Sequence, residues 1–120
     1  MASQTNTHIS TGRNGENTAA SYLVEQGYTI LQRNYRHRRA EVDIIAQTGD
    51  TLVFVEVKTR TTSLYGFPEE AVRTQKQAQL LSAAEEYIYQ AGWEKEVRFD
   101  IIAITLSPEQ EIHHIEDAFY

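Results

Sequence analysis

Two carboxylates lie on neighbouring β-rich runs whose spacing brings them together. The runs are residues 41–46 and 52–58, and Gly49-Asp50 between them is typical of a two-residue hairpin turn. Pairing outward from this turn places Asp43 directly opposite Glu56, with Cβ atoms roughly 4.5–5.5 Å apart. Two carboxylates at that separation repel each other unless one is protonated or a cation lies between them. The spacing therefore predicts a metal site.

The same register gives the hairpin one charged face at its open end. Side chains alternate along a strand, so residues from both runs share that face. The face carries Glu41, Asp43, Ile45, Phe54, Glu56 and Lys58. The second run is apolar on both faces before its charges begin, which predicts a central strand whose charged end opens into a cleft. Spacing alone equally allows an ordinary ion pair between Glu41 and Lys58 on a solvated strand end.

Each of two predicted helices directs one charged side chain towards the sheet. Glu16 shares the apolar stripe of the first helix, and Lys76 lies on the apolar stripe of the second. Both side chains could reach the charged end of the hairpin. Glu16 is equally explained as a first-turn acid that the helix dipole favours, and Lys76 as a lysine whose stem covers apolar surface.

Composition and charge restrict the chemistry of this chain of 120 residues. The absence of cysteine excludes thiolate zinc sites, so any metal must be held by carboxylates, histidines, carbonyls or water, and hard cations are the natural candidates. The net charge of −6 argues against simple coating of nucleic acid. However, Arg36, Arg38 and Arg39 directly precede the acidic run, which suits a phosphate substrate. A solvated edge that discourages strand pairing is the other interpretation of these arginines.

The organisation along the chain predicts one α/β domain. We expect flexible residues 1–10, then a single domain over residues 11–120, with no membrane-spanning segment and a cytoplasmic location. The order α-β-β-β-α-β with a short final strand predicts a mixed β-sheet flanked by helices. The predicted elements are a helix from Thr11 ending at Gly27, strands at 28–35, 41–46 and 52–58, a helix at 74–91, a strand at 97–106 and a final strand at 111–115.

Asp43 followed by Glu56-Val57-Lys58, after a helix that carries Glu16, resembles the core of PD-(D/E)XK nucleases, which is the restriction-endonuclease-like fold. The chain more closely resembles the YraN family of bacterial proteins, which is related to archaeal Holliday-junction resolvases. The resemblance covers nearly everything after the first ten or so residues. It runs through Gly15-Glu16, Tyr22-Leu23, Gly27-Tyr28, Asn34-Tyr35-Arg36, Glu41-Val42-Asp43, Phe54-Val55-Glu56-Val57-Lys58-Thr59-Arg60, Lys76, Arg98-Phe99-Asp100 and Ala118-Phe119.

The resemblance implies a metal-dependent endonuclease that acts on DNA or structured nucleic acid. It implies that Asp43 and Glu56 hold Mg²⁺ or Mn²⁺, joined by a main-chain carbonyl near Val57, while Lys58 orients or deprotonates the attacking water. It gives Glu16 an accessory role as a ligand or as a residue that positions Lys58. The further residues implied to line the site or contact phosphate are Glu41, Arg60, Gln75 and Lys76.

The resemblance leaves three points open, which are the approach of a substrate, the oligomeric state and the activity itself. Ala40 stands where the family usually has glycine, which puts close approach of a substrate at that turn in doubt. Junction-cutting enzymes with this core commonly work as symmetric dimers, so a homodimer is expected by analogy. The alternatives to a nuclease are a catalytically silent module that binds nucleic acid or a partner, and a phosphohydrolase that acts on small phosphates.

Overall fold

The computed structural model describes residues 7–61 and 74–119, and the side chains of residues 14–61 and 76–119. Within these ranges the chain forms two helices and five strands in the order α-β-β-β-α-β-β, which confirms the predicted class and its final strand. The elements are α1 Thr7–Glu25, β1 Thr29–His37, β2 Ala40–Thr48, β3 Thr51–Arg60, α2 Thr74–Ala91, β4 Glu96–Thr105 and β5 Glu111–Ile115.

The strands form one mixed sheet in the order β1-β2-β3-β4-β5. Neighbours pair antiparallel except β3 and β4, which are parallel because α2 carries the chain back across the sheet. The hairpin register is the predicted one, running from Thr48 opposite Thr51 to Ile44 opposite Val55. The charged end of β3 therefore lies where its antiparallel ladder with β2 stops.

Strand β3 lies at the centre of two cores, one on each face of the sheet. Leu52 and Phe54 pack in the core that contains residues of α2, whereas Val53 and Val55 pack in the core that contains residues of α1. All residues from Leu52 to Glu56 are buried. This confirms that β3 is a central strand, and it means that its charges begin inside the protein.

Glycines end both helices near the predicted positions. Gly27 has a φ of 96° and follows the end of α1, where the Tyr28 amide donates to the Leu23 carbonyl at 2.9 Å. Gly92 has a φ of 67° and ends α2 in a similar way. Helix α1 already includes Thr7, the first residue that the structure describes, so the predicted start of this helix at Thr11 is wrong. Neither described helix is long and apolar enough to cross a membrane.

Candidate carboxylate and lysine site

Asp43 occupies the point where β2 stops pairing with β3. The last paired residues are Ile44 and Val55, and beyond them Asp43 Oδ2 accepts a hydrogen bond of 2.8 Å from the Val57 amide. The side chain thus takes the place of a ladder carbonyl. Because the N–H and C=O of one strand residue point to the same side, the Val57 carbonyl also faces the gap that opens between the strands.

An irregularity in β2 gives Asp43 this position. Val42 and Ile45 pack in the same core, although strict alternation would place them on opposite faces. The residue that the β1 register places opposite Asp43 is Asn34, and its φ of 56° is in the left-handed region, which asparagine tolerates. The side chains of β2 therefore change face at Asp43. This change takes Asp43 out of the regular pairing with β3 and leaves its carboxylate free to enter the site.

Glu56 is a buried carboxylate with two lysines on one of its oxygens. Its side chain is 5% exposed, and Oε2 pairs with Lys76 Nζ and with Lys58 Nζ, the latter at 3.6 Å. The other oxygen, Oε1, is buried and has no hydrogen-bond partner among the described residues. A buried carboxylate oxygen without a donor is costly. It marks a position that a cation could occupy.

The pKa values of the site residues reflect this crowding. Burial, together with the charge of Glu56, raises the pKa of Asp43 to about 7, although the Val57 amide opposes the shift. Burial and the neighbouring Lys76 ammonium lower the pKa of Lys58. Burial is the largest single effect and would lower the pKa of Lys76 as well, but its hydrogen bond to Glu56 and the charges of Glu56 and Asp43 together raise it. Near neutral pH, protonation of Asp43 therefore responds to any added positive charge.

Glu16 joins the site through an asparagine that sequence reasoning did not single out. With its amide nitrogen facing the carboxylates, Asn34 donates to both oxygens of Glu16 at 3.2 Å and to Glu41 Oε2 at 3.1 Å. Arg33 pairs with Glu16 at 3.4 Å. The charge of Glu16 also contributes to the raised pKa of Asp43. The only signal in the sequence was the string Asn34-Tyr35-Arg36, which gave this residue no role.

Gly15 lets α1 approach the end of β3 closely. A Cβ atom added at Gly15 would lie 2.0 Å from Thr59 Oγ1 and 3.2 Å from Thr59 Cβ, so any larger residue must push the helix or the strand aside. Glu16 follows directly in the chain. The missing side chain at position 15 therefore sets the distance at which Glu16 meets the site.

A cleft of about 180 Å³ opens over the two central carboxylates. Its lining comprises Arg39, Ala40, Glu41, Asp43, Glu56, Lys76, Gln79 and Leu80. A neighbouring groove of about 270 Å³ is lined by His37, Arg38, Arg39, Ala40, Gln79 and Ser82. Arg39 and Gln79 border both, so the turn between β1 and β2 extends the cleft along α2 with basic side chains.

The remaining predicted site residues are placed less centrally. Arg36 pairs with Glu41 at 3.7 Å on the outer edge. Arg60 lies at the end of β3, where its carbonyl accepts a hydrogen bond from the Leu106 amide, and it does not line the cleft within the described residues. The side chain of Gln75 lies outside the described part of the chain. The structure thus brings most of the predicted set together and leaves Arg60 apart.

The donor set fits an open site for a small divalent ion. Across the described residues, no three histidine or carboxylate side chains form a cluster that could hold a metal on their own. What the site offers is two close carboxylates, the unpartnered Oε1 of Glu56 and the side of β3 that carries the Val57 carbonyl. Mg²⁺ usually keeps several waters and is held by one or two carboxylates together with substrate phosphates. This donor set meets that requirement.

A second charged cluster, on the face that packs against α1, has a structural role. Asp100 is fully buried and accepts hydrogen bonds from Arg98 at 2.8 and 2.9 Å and from the Asp117 amide at 3.0 Å. His114 Nε2 lies 2.7 Å from the same carboxylate. These donors lower the pKa of Asp100 although burial opposes the shift. Arg98 and Asp100 thus pair on one strand, and the cluster also anchors β5 and the following turn to β4.

Fold and site together define a small α/β domain with an acidic cleft at the end of a central strand, where Lys76 lines the cleft and Lys58 contacts Glu56 from the same strand. The chain matches the family model described as uncharacterised protein family UPF0102 over residues 15–104, and it belongs to that family. This confirms the resemblance to the YraN family.

Relatives from distant bacteria align over nearly their whole length. A UPF0102 protein of Chlorobium phaeobacteroides strain BS1 is 48% identical over 117 residues, which is 90% of this chain and 92% of the relative. One from Rhodococcus jostii strain RHA1 is 47% identical over 116 residues, which is 93% of this chain and 98% of the relative. One from Christiangramia forsetii is 45% identical over 114 residues, which is 94% of this chain and 96% of the relative.

Proposed function

We propose that this protein is a divalent-metal-dependent phosphodiesterase of the endonuclease type that acts on DNA or structured nucleic acid. The observation that carries the proposal is the buried Glu56 carboxylate, which keeps one oxygen unpartnered and the other beside two lysines, while Asp43 lines the same cleft. Buried charged groups are expensive to retain without a task. Shifted pKa values such as those of Asp43, Lys58 and Lys76, grouped around one cleft, are a recognised sign of a functional site.

Each residue of the cluster has a distinct part in this proposal. Asp43 and Glu56 would hold Mg²⁺ or Mn²⁺, with the Val57 carbonyl as a third donor. When bound, such an ion lowers the pKa of water and offsets the charge that develops on a phosphate under attack. Lys58, whose pKa is lowered, is suited to orient the attacking water and to accept its proton. Glu16, held by Asn34 and Arg33, fixes the outer edge of the site.

The basic turn supports a polyanionic substrate despite the acidic net charge. Arg38 and Arg39 line a groove that continues directly from the carboxylates along α2. Arginine forms paired hydrogen bonds with phosphate oxygens, and phosphate contacts fix the position of a nucleic acid without reading its sequence. The proposal therefore assigns the phosphates next to the cleaved bond to this groove.

A second candidate function follows from the lysines themselves. Lys58 and Lys76 already neutralise Glu56 without a metal ion, so the same cluster could serve a module that binds nucleic acid or a protein partner and has no turnover. This candidate requires the basic groove but not the metal.

A cleavage assay separates the two candidates. The full chain is incubated with Mn²⁺ and with duplex, single-stranded and four-way-junction DNA, structured RNA and a small phosphodiester. We expect cleavage of at least one nucleic acid that falls by about 100-fold or more in Glu56→Gln and in Lys58→Met. Lys95→Met is the matched control, because Lys95 pairs only with the exposed Asp50 within the described residues.

The outcomes of that assay point in different directions. Equal cleavage by the wild type and both site variants would contradict the assignment of the site. Nucleic-acid binding without cleavage would favour the silent module, and turnover of the small phosphodiester alone would remove nucleic acid as the substrate. The homodimer and the cytoplasmic location expected from the sequence stay predictions.

A further inference from the structure

Lys76 lies on α2 (Thr74–Ala91), and its side chain makes its contacts across the cleft, with β3. It lines the cleft together with Asp43 and Glu56.

Those contacts are with the carboxylate that the proposed metal site needs. Lys76 Nζ pairs with Glu56 Oε2, the same oxygen that Lys58 approaches at 3.6 Å. Glu56 is 5% exposed, whereas the Lys76 side chain is 38% exposed. A lysine that merely covers apolar surface keeps its ammonium in water, but this one directs its ammonium inward onto a buried acid.

The positive charges already next to Glu56 oppose the binding of another cation. Two ammonium groups already face Glu56, and the charge of Lys76 also acts on Asp43. A divalent ion between the two carboxylates would repel an ammonium at this distance strongly, even with the screening typical of a protein surface. One of the two lysines must then give way. Lys76 is the more exposed of the two and reaches the site from a different element, so its side chain can swing out.

We propose that Lys76 is an internal counter-cation that stabilises the carboxylate pair without metal and must leave Glu56 when a divalent ion binds. The inference rests on the metal site proposed above. It makes the lysine and the metal ion alternative partners of one carboxylate. Lys76 shares the lining of the cleft with Arg39 and Gln79, so an ammonium released from Glu56 would be free to meet a substrate phosphate there. Metal binding would then prepare the phosphate site, and an empty metal site would keep that lysine occupied.

Calorimetric titration of Mn²⁺ into the full-length wild type and Lys76→Met tests the exchange. Removing the competing ammonium should tighten Mn²⁺ binding, on the order of tenfold after allowance for the partial exposure of the lysine. Thermal unfolding without metal should show the opposite effect, a lower melting temperature, because Glu56 loses a partner. Lys95→Met, at an exposed ion pair, should change neither quantity. Lys76→Gln serves as a second variant if the methionine protein does not fold.

Each result has a separate meaning. Unchanged or weaker Mn²⁺ binding in Lys76→Met, with clear binding in the wild type, would overturn the exchange and leave the metal site standing. No binding in either protein would overturn the metal site and the exchange with it. A purely structural lysine would lower the melting temperature without raising the metal affinity, so the two measurements together distinguish a counter-cation from a packing residue.

Discussion

The raised pKa of Asp43 makes the stability of the metal-free protein depend on pH in a defined direction. The pKa rises from 3.8 to about 7 on folding, so the folded state holds this proton more tightly than the unfolded state does. At a pH below its ordinary pKa, Asp43 is protonated in both states and does not lower the free energy of unfolding. The destabilisation grows as the pH rises towards 7 and is complete above that pH.

The size of this effect follows from the shift. A difference of about three pKa units, at about 1.4 kcal/mol each, gives an upper limit of about 4 kcal/mol. Glu56 shares the repulsion, so the part that depends on Asp43 alone is about 2–4 kcal/mol. Asp43→Asn removes the charge and keeps an oxygen that can accept from the Val57 amide. We expect the variant to be more stable than the wild type by that amount at pH 8.5.

Urea unfolding followed by circular dichroism in a chelating buffer, from pH 4.5 to 8.5, measures the difference. The gain in Asp43→Asn should increase with pH and level off above about pH 7. Asp50→Asn is the control, because Asp50 is exposed and its pairing with Lys95 at 3.3 Å spans the surface. An asparagine variant that is less stable at pH 8.5, or a gain that does not change with pH, would refute the cost that burial and the charge of Glu56 impose on ionised Asp43.

Two further predictions concern the framework around the site. Gly15→Ala should lower the free energy of unfolding in urea by about 1–3 kcal/mol, because the new Cβ meets Thr59. Ser21→Ala, on the exposed side of the same helix, is the control and should change it by less than about 0.5 kcal/mol. Equal free energies of unfolding for the two variants would contradict the close approach of α1 to β3. Asp100→Asn should cost about 3 kcal/mol, since it removes the buried charge partner of Arg98 and leaves the arginine with the more exposed Glu116 at 3.6 Å. Folding lowers the pKa of Asp100, so this stabilisation is present at a pH above the ordinary pKa of 3.8 and is lost as the pH falls below it. If Asp100→Asn lost as much stability in acid as the wild type does, that result would argue against the pairing of Arg98 with Asp100.

Much of the fold could be predicted from the sequence because its signals are local. The continuous apolar run in β3, the glycines at 27, 49 and 92, and the two-residue turn each depend on neighbouring residues. The hairpin register then followed from the turn alone. It placed Asp43 near Glu56 correctly, although the ladder stops one step before them.

The details of the site depend on contacts that local signals do not contain. The change of face in β2, the hydrogen bond from Val57 to Asp43 and the bridging role of Asn34 arise only when three strands and α1 meet. Spacing along the helix indicated that Lys76 faces inward but could not show which carboxylate it meets. The expectation that Glu41 pairs with Lys58 competed with the metal site, and in the structure Lys58 pairs with Glu56.

Direct titration of Mn²⁺ by calorimetry at pH 8 tests whether Asp43 and Glu56 form a site for a divalent ion. We expect the wild type and Asp50→Asn to bind Mn²⁺ with similar affinity. Asp43→Asn should lose binding even though that variant is the more stable protein without metal. Equal Mn²⁺ binding by all three proteins, or binding by none of them, would contradict it.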